Sequence, residues 1–396
     1  MELLGLYLSI PFCRSKCTYC NFASGVFPVA CHERYLARLE EDLATARSRA
    51  QSWGATLPSA VDSIYLGGGT PTLLSAAQLR HLFTVLRREF AVLPTAEITV
   101  ECAPGQLPPD VLDALAECGV NRISFGVQSF VDSEAHATGR LHTRAIALED
   151  IRRVQAAGIR AVSVDLIAGL PGQTLGSWFE SLAVLADSGV DHASIYMLEI
   201  DEDSRLGREL LSSGTRYHAA GVPADDLIAD FYSEAIGLLA GRGLAQYEIS
   251  NFARPGHESQ HNLKYWRREP YLGFGLDAHS MLHAHSGTAL RFATSDDLDG
   301  WLAGPSWPEP PRRLSRKEAL EEAWFLGLRL NEGVSLAALR NAFGAAAVLD
   351  CLSIARELES DGLLAFTDGD RVALTPRGRL LSNEVFARFL AEPALV

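Results

Sequence analysis

The alternation of short apolar runs with longer amphipathic segments over the first 200 residues constrains the fold more than any other feature. The apolar runs are strand candidates, at residues 4–10, 61–68, 96–102, 122–127, 161–169 and 192–198. Between them, the hydrophobic spacing predicts helices at about 32–50, 75–90, 109–118, 143–157 and 175–188. Strands that alternate with such helices form parallel βαβ units. Six strands in succession predict an α/β fold with a partial (β/α)6 barrel of the TIM type, whose working face lies at the C-terminal ends of the strands.

The rest of the chain divides at a proline-rich run. Residues 1–240 carry the barrel pattern, and residues 241–302 form a barrel extension that is rich in glycine, histidine and aromatic residues and poor in helical periodicity. The run "AGPSWPEPPRR", residues 303–313, predicts a linker. Three helical patterns and then two short strand candidates around "DGD" predict a C-terminal helical, winged-helix-like domain over residues 314–396. The three helical patterns lie at about 315–330, 335–341 and 347–360.

Composition limits the classes of function. With 47% hydrophobic and 21% charged residues, the chain has the make-up of an ordinary soluble globular protein. Its net charge of −14 argues against broad binding to nucleic acid or anionic membranes. No apolar run reaches the roughly 18 residues needed to span a bilayer, so we expect no integral membrane segment and a cytoplasmic protein. Seven cysteines at irregular spacing do not resemble a secreted disulfide framework.

Three of those cysteines are crowded into the segment "SIPFCRSKCTYCNF". Cys13, Cys17 and Cys20 follow the first strand candidate directly, which places them at the predicted mouth of the barrel. Thiolates are the normal ligands of iron–sulfur clusters, so three of them would leave one iron of a [4Fe–4S] cluster open. An open coordination position admits a substrate or cofactor, whereas closed sites are structural. The alternatives are a zinc loop completed by Cys31, or three buried cysteines without a metal.

The segment "CRSKCTYC" resembles the signature of radical S-adenosylmethionine (radical SAM) proteins. The segments "LYLSIPFC", "YLGGGTPT", "RISFGVQSF", "SVDLIAGLPGQT" and "EISNFARPG" resemble the oxygen-independent coproporphyrinogen III oxidase-like group of that superfamily. The resemblance implies a radical SAM barrel that holds a [4Fe–4S] cluster and binds S-adenosyl-L-methionine at the open iron. It also implies an electron donor for the cluster, since a cluster electron splits the sulfonium to give a 5′-deoxyadenosyl radical.

The same resemblance implies a set of contacts to S-adenosyl-L-methionine. Tyr7 would lie near the cluster and Tyr19 near the adenine, while the "GGGTPT" segment would present backbone groups to the methionyl end. The remaining contacts would reach the amino acid or the ribose. In chain order the predicted contacts are Tyr7, Tyr19, Gly68, Gly69, Thr70, Glu101, Gln128, Arg140 and Asp165. An acidic residue at a strand end would otherwise only cap the following helix. Two positions depart from the family pattern, with Ser9 in place of a histidine and Ala103 in place of an asparagine.

A second motif, "HNLKYW", lies in the barrel extension and resembles the HNxxYW motif of heme chaperones in this group. A neutral imidazole is a common axial ligand of heme iron, so His261 is the candidate ligand. Tyr265 and Trp266 offer broad apolar faces for the macrocycle. The alternative is that His261 caps a turn while Trp266 packs into the core. His279, in "DAHS", is the second choice of ligand.

Two functions remain open from these motifs. The first is a heme chaperone that carries the cluster and S-adenosyl-L-methionine and passes heme to acceptor proteins. The second is a radical SAM enzyme, either a coproporphyrinogen III oxidase or a methyltransferase. Phe22 disfavours the oxidase, because the resemblance implies a further cysteine at that position in true oxidases. The "HNLKYW" motif favours the chaperone.

Overall fold

The computed structural model describes residues 2–304, 307, 310–367 and 370–390. In chain order, its strands are β1 (Leu4–Ile10), β2 (Ala55–Thr56), β3 (Ala60–Gly68), β4 (Ala91–Cys102), β5 (Arg122–Gln128), β6 (Ala161–Ala168), β7 (His192–Met197), β8 (Ala245–Gln246), β9 (Asn251–Ala253), β10 (Tyr271–Phe274), β11 (His279–Ala284), β12 (Ala289–Ala293), β13 (Arg312–Arg313), β14 (Val334–Ser335), β15 (Leu364–Thr367) and β16 (Arg371–Leu374). Its α-helices are α1 (Ala30–Ser52), α2 (Ala76–Glu89), α3 (Pro109–Glu117), α4 (Asp132–Ala137), α5 (Arg144–Ala156), α6 (Leu175–Asp187), α7 (Arg205–Leu211), α8 (Asp225–Ala240), α9 (Gln260–Arg267), α10 (Leu298–Ala303), α11 (Arg316–Gly327), α12 (Leu336–Phe343), α13 (Ala345–Ser360), α14 (Pro376–Leu380) and α15 (Ser382–Ala387). Short 3-10 helices lie at Pro71–Leu73 and Arg216–Gly221.

The predicted barrel strands are present and parallel. Strands β1, β3, β4, β5, β6 and β7 pair in that order, and each pair is joined by a helical crossover. The prediction of an α/β fold with a partial (β/α)6 barrel is therefore confirmed. The five predicted helices, α1, α2, α3, α5 and α6, begin and end within two residues of their predicted limits, whereas the short α4 between β5 and β6 was not predicted.

The predicted start of the third barrel strand at residue 96 was wrong. Strand β4 begins at Ala91 and pairs Ala91 with Ala60 before the register shifts. Pro94 lies within the shifted stretch. A proline has no backbone N–H for the ladder, so it interrupts the alternation from which a strand is predicted.

The sheet continues on both sides of the six barrel strands. Strand β10 pairs parallel with β1, and β11, β12 and β13 follow as antiparallel strands. At the other side, β9 pairs antiparallel with β7, and β8 pairs with β9. The predicted extension, residues 241–302, supplies β8 to β12 of these additional strands.

Strand alternation separates a packed face from a polar interior. In β1, Leu4, Leu6 and Leu8 are completely buried on the side that faces the helices. The residues between them, including Tyr7, face the interior of the barrel, because side chains alternate along a strand. The functional side chains discussed below come from this interior face.

Helix α9 was not predicted, because it is only eight residues long and most of its residues are polar. His261 and Lys264 are buried together with Leu263, so polar residues occupy positions at which a sequence pattern is expected to show apolar ones. The Glu97 carboxylate accepts hydrogen bonds from the backbone N–H groups of Gln260 (3.2 Å) and His261 (3.1 Å) at the start of this helix. A carboxylate at a helix N-terminus satisfies free N–H groups and interacts favourably with the helix dipole.

The C-terminal region has a core of its own. Helices α11 to α13 pack against a three-stranded sheet in the order β14-β16-β15, with Trp324 stacked on Phe389 at 4.8 Å between ring centroids. The arrangement agrees with the predicted winged-helix-like domain. Helix α11 contacts the barrel through Glu322, which pairs with Arg268 (2.8 Å) and Arg291 (2.6 Å).

Parts of the predicted linker and of the C-terminal domain lie outside the described residues, namely 305, 306, 308, 309, 368, 369 and 391–396. Within the described part of residues 303–313, the Trp307 side chain is buried and donates to the Gly273 carbonyl at 3.2 Å. Arg312 and Arg313 form β13. Across the described chain, no helix is both long enough and apolar enough to cross a bilayer.

We expect Glu97→Ala to lower the free energy of unfolding by about 3–5 kcal/mol, because it leaves the buried Arg122 guanidinium without its carboxylate partner at 3.0 Å. Chemical denaturation followed by circular dichroism measures the change. Glu117→Ala is the matched control, since Glu117 pairs with Arg80 on the exposed surface, where water screens the pair, and its loss should change the stability far less. Equal effects of the two substitutions would contradict the importance of the Glu97 contact.

Candidate functional site

The loop that carries the three cysteines follows β1 and is held at the mouth of the barrel by backbone hydrogen bonds. The Cys13 N–H donates to Gly25 (2.9 Å), and the Gly25 N–H donates back to Pro11 (2.9 Å), so the loop closes on itself. The Thr18 N–H donates to Thr138 beyond β5 (3.0 Å), and Thr18 accepts from Leu206 beyond β7 (2.8 Å). The cysteine loop is thus closed on itself and anchored to the segments that follow β5 and β7.

The surroundings of the cysteines have two opposing effects on their charged form. Burial disfavours a thiolate, and a nearby cation favours it. Burial raises the pKa of the Cys13 thiol, the hydroxyl of Ser24 opposes this rise, and the nearby Cys20 adds to it. Arg140 brings a positive charge, with its Nη1 atom 3.4 Å from the Cys17 sulfur. Burial works against the charge of this guanidinium, but Tyr19 and Cys17 raise its pKa above the usual value. A sulfur-ligated cluster would be stabilised by this cation.

The glycine run after β3 lies directly against the cysteine loop. A Cβ atom on Gly69 would come within 2.6 Å of the Ile10 carbonyl oxygen, so only glycine fits. Gly68 has φ = +92°, in the left-handed region that favours glycine. The Thr70 N–H donates to the Phe12 carbonyl at 2.8 Å. This segment therefore presents bare backbone beside the loop, as a closely approached ligand requires.

Two partly buried carboxyl groups face the barrel interior. Glu101 accepts hydrogen bonds from the Tyr65 hydroxyl (2.8 Å) and from the Gly68 N–H (3.1 Å). Burial raises the pKa of Glu101 to about 7, the Tyr65 hydrogen bond opposes the rise, and Asp165 adds to it. Burial likewise raises the pKa of Asp165 to about 6, against hydrogen bonds from Ser194 and Ser124. A bound cation would draw both groups toward their ionised forms.

Gln128, at the end of β5, is strained. Its φ of +70° is unusual for a residue with a side chain, and such conformations cost on the order of 1–3 kcal/mol. Among the described residues, its Oε1 atom is buried without a hydrogen-bond partner. A buried acceptor without a protein partner, on a strained residue, is typical of a ligand-binding site. This observation fits the predicted cofactor contact.

The remaining predicted contacts lie in the same region. A Cβ atom on Gly68 would come within 3.3 Å of the Tyr7 hydroxyl, which places Tyr7 beside the glycine run. Tyr19 lies near Arg140 and Cys17, on the cysteine loop. Elsewhere in the described residues, no three Cys, His, Asp or Glu side chains converge on a point suited to a single metal ion, and the three loop cysteines do not either.

A cavity of about 470 Å³ connects the predicted cofactor contacts with the "HNLKYW" motif. Its volume is typical of sites for small molecules and cofactors. Tyr7, Gly68 and Glu101 line one part of it, and Tyr265 and Trp266 line another. The cofactor contacts and the aromatic residues of the motif therefore border one space.

The histidine of the motif does not line that cavity. His261 is completely buried, with Nδ1 2.9 Å from the Ser63 hydroxyl and Nε2 2.8 Å from the Tyr265 hydroxyl. Burial, with a smaller contribution from the Lys264 ammonium, lowers its pKa to about 3. The structure thus brings Tyr265 and Trp266 to the cavity and leaves the His261 ring within the protein interior. His279, the second-choice ligand, does line the cavity.

Several residues of this region were missed from the sequence. Tyr65, which donates a hydrogen bond to Glu101, lies two residues before the glycine run on β3, and strand alternation would have indicated it. Tyr271, Arg291, Glu322 and Phe325 line the cavity, but they come from β10, β12 and α11. No local signal indicates that these elements meet the barrel mouth.

Comparison with known proteins agrees with these motifs. Residues 7–185 match the Radical SAM superfamily, and residues 314–381 match the HemN C-terminal domain. The chain is 34% identical to the heme chaperone HemW of Bacillus subtilis, over 98% of this chain and 99% of that protein. It is 32% identical to the heme chaperone HemW of Escherichia coli, over 98% of each chain.

Among solved structures, the chain resembles coproporphyrinogen III oxidase (HemN) from Escherichia coli, described as a radical SAM enzyme. The TM-score is 0.82 at 25% sequence identity, and the match covers 98% of this chain and 90% of that one. This similarity covers both the barrel and the C-terminal region, so it supports the fold throughout.

We expect affinity for S-adenosyl-L-methionine to rise roughly 10-fold or more between pH 5 and pH 8, because Glu101 and Asp165 ionise near pH 7 and pH 6 and then attract its positive groups. The same raised pKa values make the ligand-free protein less stable as pH rises from about 4 to 7, since the native state holds these protons more tightly. Anaerobic titration calorimetry of cluster-containing protein measures the affinity. Glu101→Gln should flatten the profile, and an unchanged profile would contradict the role of this carboxyl group.

Proposed function

The chain belongs to the HemW family of radical SAM proteins, and we propose on that premise that it is a heme chaperone, which binds heme and transfers it to acceptor proteins. The observation that carries the proposal is the cavity shared by Tyr7 and Glu101 of the barrel with Tyr265 and Trp266 of α9. Aromatic faces of this size suit a flat macrocycle. The heme site would then lie beside the cofactor site.

In this proposal, Cys13, Cys17 and Cys20 hold a [4Fe–4S] cluster, and S-adenosyl-L-methionine binds at its open iron. Together these groups supply one-electron chemistry at a sulfonium when they are bound. The protein's own part is to hold the sulfurs by the anchored loop and to place the Arg140 cation 3.4 Å from the Cys17 sulfur. The backbone of Gly68 would meet the methionyl end.

The remaining contacts would fix the cofactor from the other barrel strands. Gly69 and Thr70 would contribute backbone groups, and the side chains available are those of Tyr7, Tyr19, Glu101, Gln128 and Asp165. Gln128 has a buried amide oxygen without a partner in the described structure. This oxygen can accept a hydrogen bond from the cofactor without breaking an existing one. Glu101 and Asp165 offer negative charge once their protons are lost.

The proposed location is the cytoplasm, and the proposed partners follow from the cofactors. All seven cysteines are free thiols, as in proteins of reducing compartments. A cluster that changes its redox state needs an electron donor, and a heme carrier needs an acceptor protein. Neither partner's identity is part of the proposal.

A coproporphyrinogen III oxidase is the second candidate, because the structure of HemN matches this chain over nearly its whole length. Phe22 stands where the resemblance to the oxidase implies a further cysteine, and its side chain is mostly exposed at the cavity. A phenyl ring offers neither a thiolate ligand nor a proton. The chaperone is therefore the preferred function.

We expect the wild-type protein to bind heme saturably, with a shift of the Soret band, and to leave coproporphyrinogen unchanged under anaerobic conditions with a reductant. Trp266→Ala should weaken heme binding roughly 10-fold, because it removes one aromatic wall, while Trp266→Phe should retain most of the affinity. Optical titration and a porphyrin assay measure the two activities. Decarboxylation of coproporphyrinogen without saturable heme binding would favour the oxidase instead.

We expect each of the substitutions Cys13→Ala, Cys17→Ala and Cys20→Ala to abolish the iron–sulfur chromophore of anaerobically reconstituted protein. Each removes one thiolate from a loop that has no fourth cysteine to replace it. Iron and sulfide analysis with absorption spectroscopy measures the loss. Cys118→Ala, in which the lost thiol lies at the end of α3, should keep the cluster. Zinc in the wild-type loop, or a cluster that survives all three substitutions, would contradict the assignment.

A further inference from the structure

The C-terminal domain is joined to the barrel by a short antiparallel ladder of backbone hydrogen bonds. The Ile249 N–H donates to the Arg329 carbonyl at 3.2 Å, and the Asn331 N–H donates to the Tyr247 carbonyl at 3.0 Å. These bonds pair the segment that follows α11 with the segment between β8 and β9. They therefore fix the place from which the Arg329 side chain starts.

The Arg329 side chain lies between a buried carboxylate and the last aromatic residue of the "HNLKYW" motif. Its guanidinium carbon is 4.2 Å from the centroid of the Trp266 ring, and its Nη2 atom is 3.6 Å from the Oε2 atom of Glu248. A guanidinium within about 6 Å of an indole face is attracted by the electrons of the ring. Trp266 thus contacts a cation of the C-terminal domain and also lines the cavity.

Glu248 holds this cation from the barrel side. Its side chain is completely buried, and its Oε1 atom accepts hydrogen bonds from the Ser250 N–H (2.9 Å) and from the Asn251 amide (2.5 Å). Burial raises the pKa of the Glu248 carboxyl, and the Arg329 cation opposes the rise. A buried carboxylate that loses its cation is strongly destabilising, so this pair keeps Arg329 in place.

The two aromatic residues of the motif that line the cavity are held by different means. The Tyr265 hydroxyl is 2.8 Å from the Nε2 atom of His261, within the barrel. The indole nitrogen of Trp266 is buried and, in the described part of the chain, has no hydrogen-bond partner. No hydrogen bond therefore fixes the plane of this indole, and the Arg329 cation is the charged group stacked on it.

We propose that Arg329 is a positioning residue of the heme site, which holds the Trp266 ring as a wall of the cavity. The inference rests on the heme-binding function proposed above. Arg329 does not itself line the cavity, so its role is to support the ring and not to contact the ligand. Phe325 and Leu326 of the same domain do line the cavity. The C-terminal domain is then a part of the heme site rather than an appended module.

The first measurement is an optical titration of the full chain with heme. We expect Arg329→Met to weaken heme binding about 3- to 10-fold, because a cation on an indole face contributes about that much. In a Trp266→Ala background, the same substitution should have no further effect, since it acts through the missing ring. Additive losses from the two substitutions would overturn the proposal.

A double substitution separates support of the ring from general stability. Arg329→Met alone leaves the Glu248 carboxylate without its cation, whereas Glu248→Gln combined with Arg329→Met removes both charges and keeps the acceptor oxygen for Asn251. We expect the double variant to regain stability in chemical denaturation relative to Arg329→Met, but to bind heme as weakly. Recovery of heme affinity together with stability would overturn the proposal.

Arg267→Met is the matched control. Arg267 also joins α9 to the C-terminal domain, through Glu332 at 3.5 Å, but both side chains are about half exposed. Water screens such a pair, and its loss should leave heme binding as in the wild-type protein. A loss equal to that of Arg329→Met would overturn the specific role of Arg329.

A second measurement needs no heme. In protein labelled with 5-fluorotryptophan, the fluorine resonance of Trp266 is identified by its absence in Trp266→Phe. We expect Arg329→Met to shift this resonance and Arg267→Met to leave it in place, and an unchanged resonance in Arg329→Met would overturn the proposal. Absence of saturable heme binding in the wild-type protein would overturn the proposed function, while the fluorine spectra would still decide whether Arg329 holds the indole.

Discussion

The contact between the Glu97 carboxylate and the start of α9 determines how the rest of the site is arranged. Glu97 lies on β4, holds the backbone N–H groups of two helix residues and pairs with Arg122 of β5. It therefore fixes a short helix against the interior of an open barrel. Because α9 has this position, His261 points into the barrel core while Tyr265 and Trp266 reach the cavity. One buried carboxylate thus links the parallel strands to the aromatic motif.

The polar interior shows how burial prepares groups for a charged ligand. Glu101 and Asp165 have raised pKa values because they lose hydration, and Gln128 is held in a strained conformation with a free acceptor. Each feature costs stability in the absence of a ligand. Such costs are common where a protein surface is shaped for binding rather than for packing.

Local patterns were sufficient to predict the barrel and the cysteine loop, because strand and helix periodicity and the spacing of Cys13, Cys17 and Cys20 are properties of short segments. They were insufficient for α9, which is only eight residues long and buries the polar residues His261 and Lys264. The sequence also could not show that the His261 ring is buried while His279 lines the cavity, since both are single histidines in polar, aromatic segments. Only the packing of Gly5 and Ser63 against His261 distinguishes them. The contribution of Phe325 and Glu322 depends on contacts between distant segments, which no local pattern encodes.

The single cavity has a thermodynamic consequence. Tyr7 and Glu101 border the same space as Tyr265 and His279, so the two occupants proposed for it are neighbours. Equilibrium linkage is reciprocal, and any factor by which one occupant changes the affinity of the other must apply equally in reverse. For the proposed pair of occupants, any change in heme affinity on binding of S-adenosyl-L-methionine would equal the change in S-adenosyl-L-methionine affinity on binding of heme.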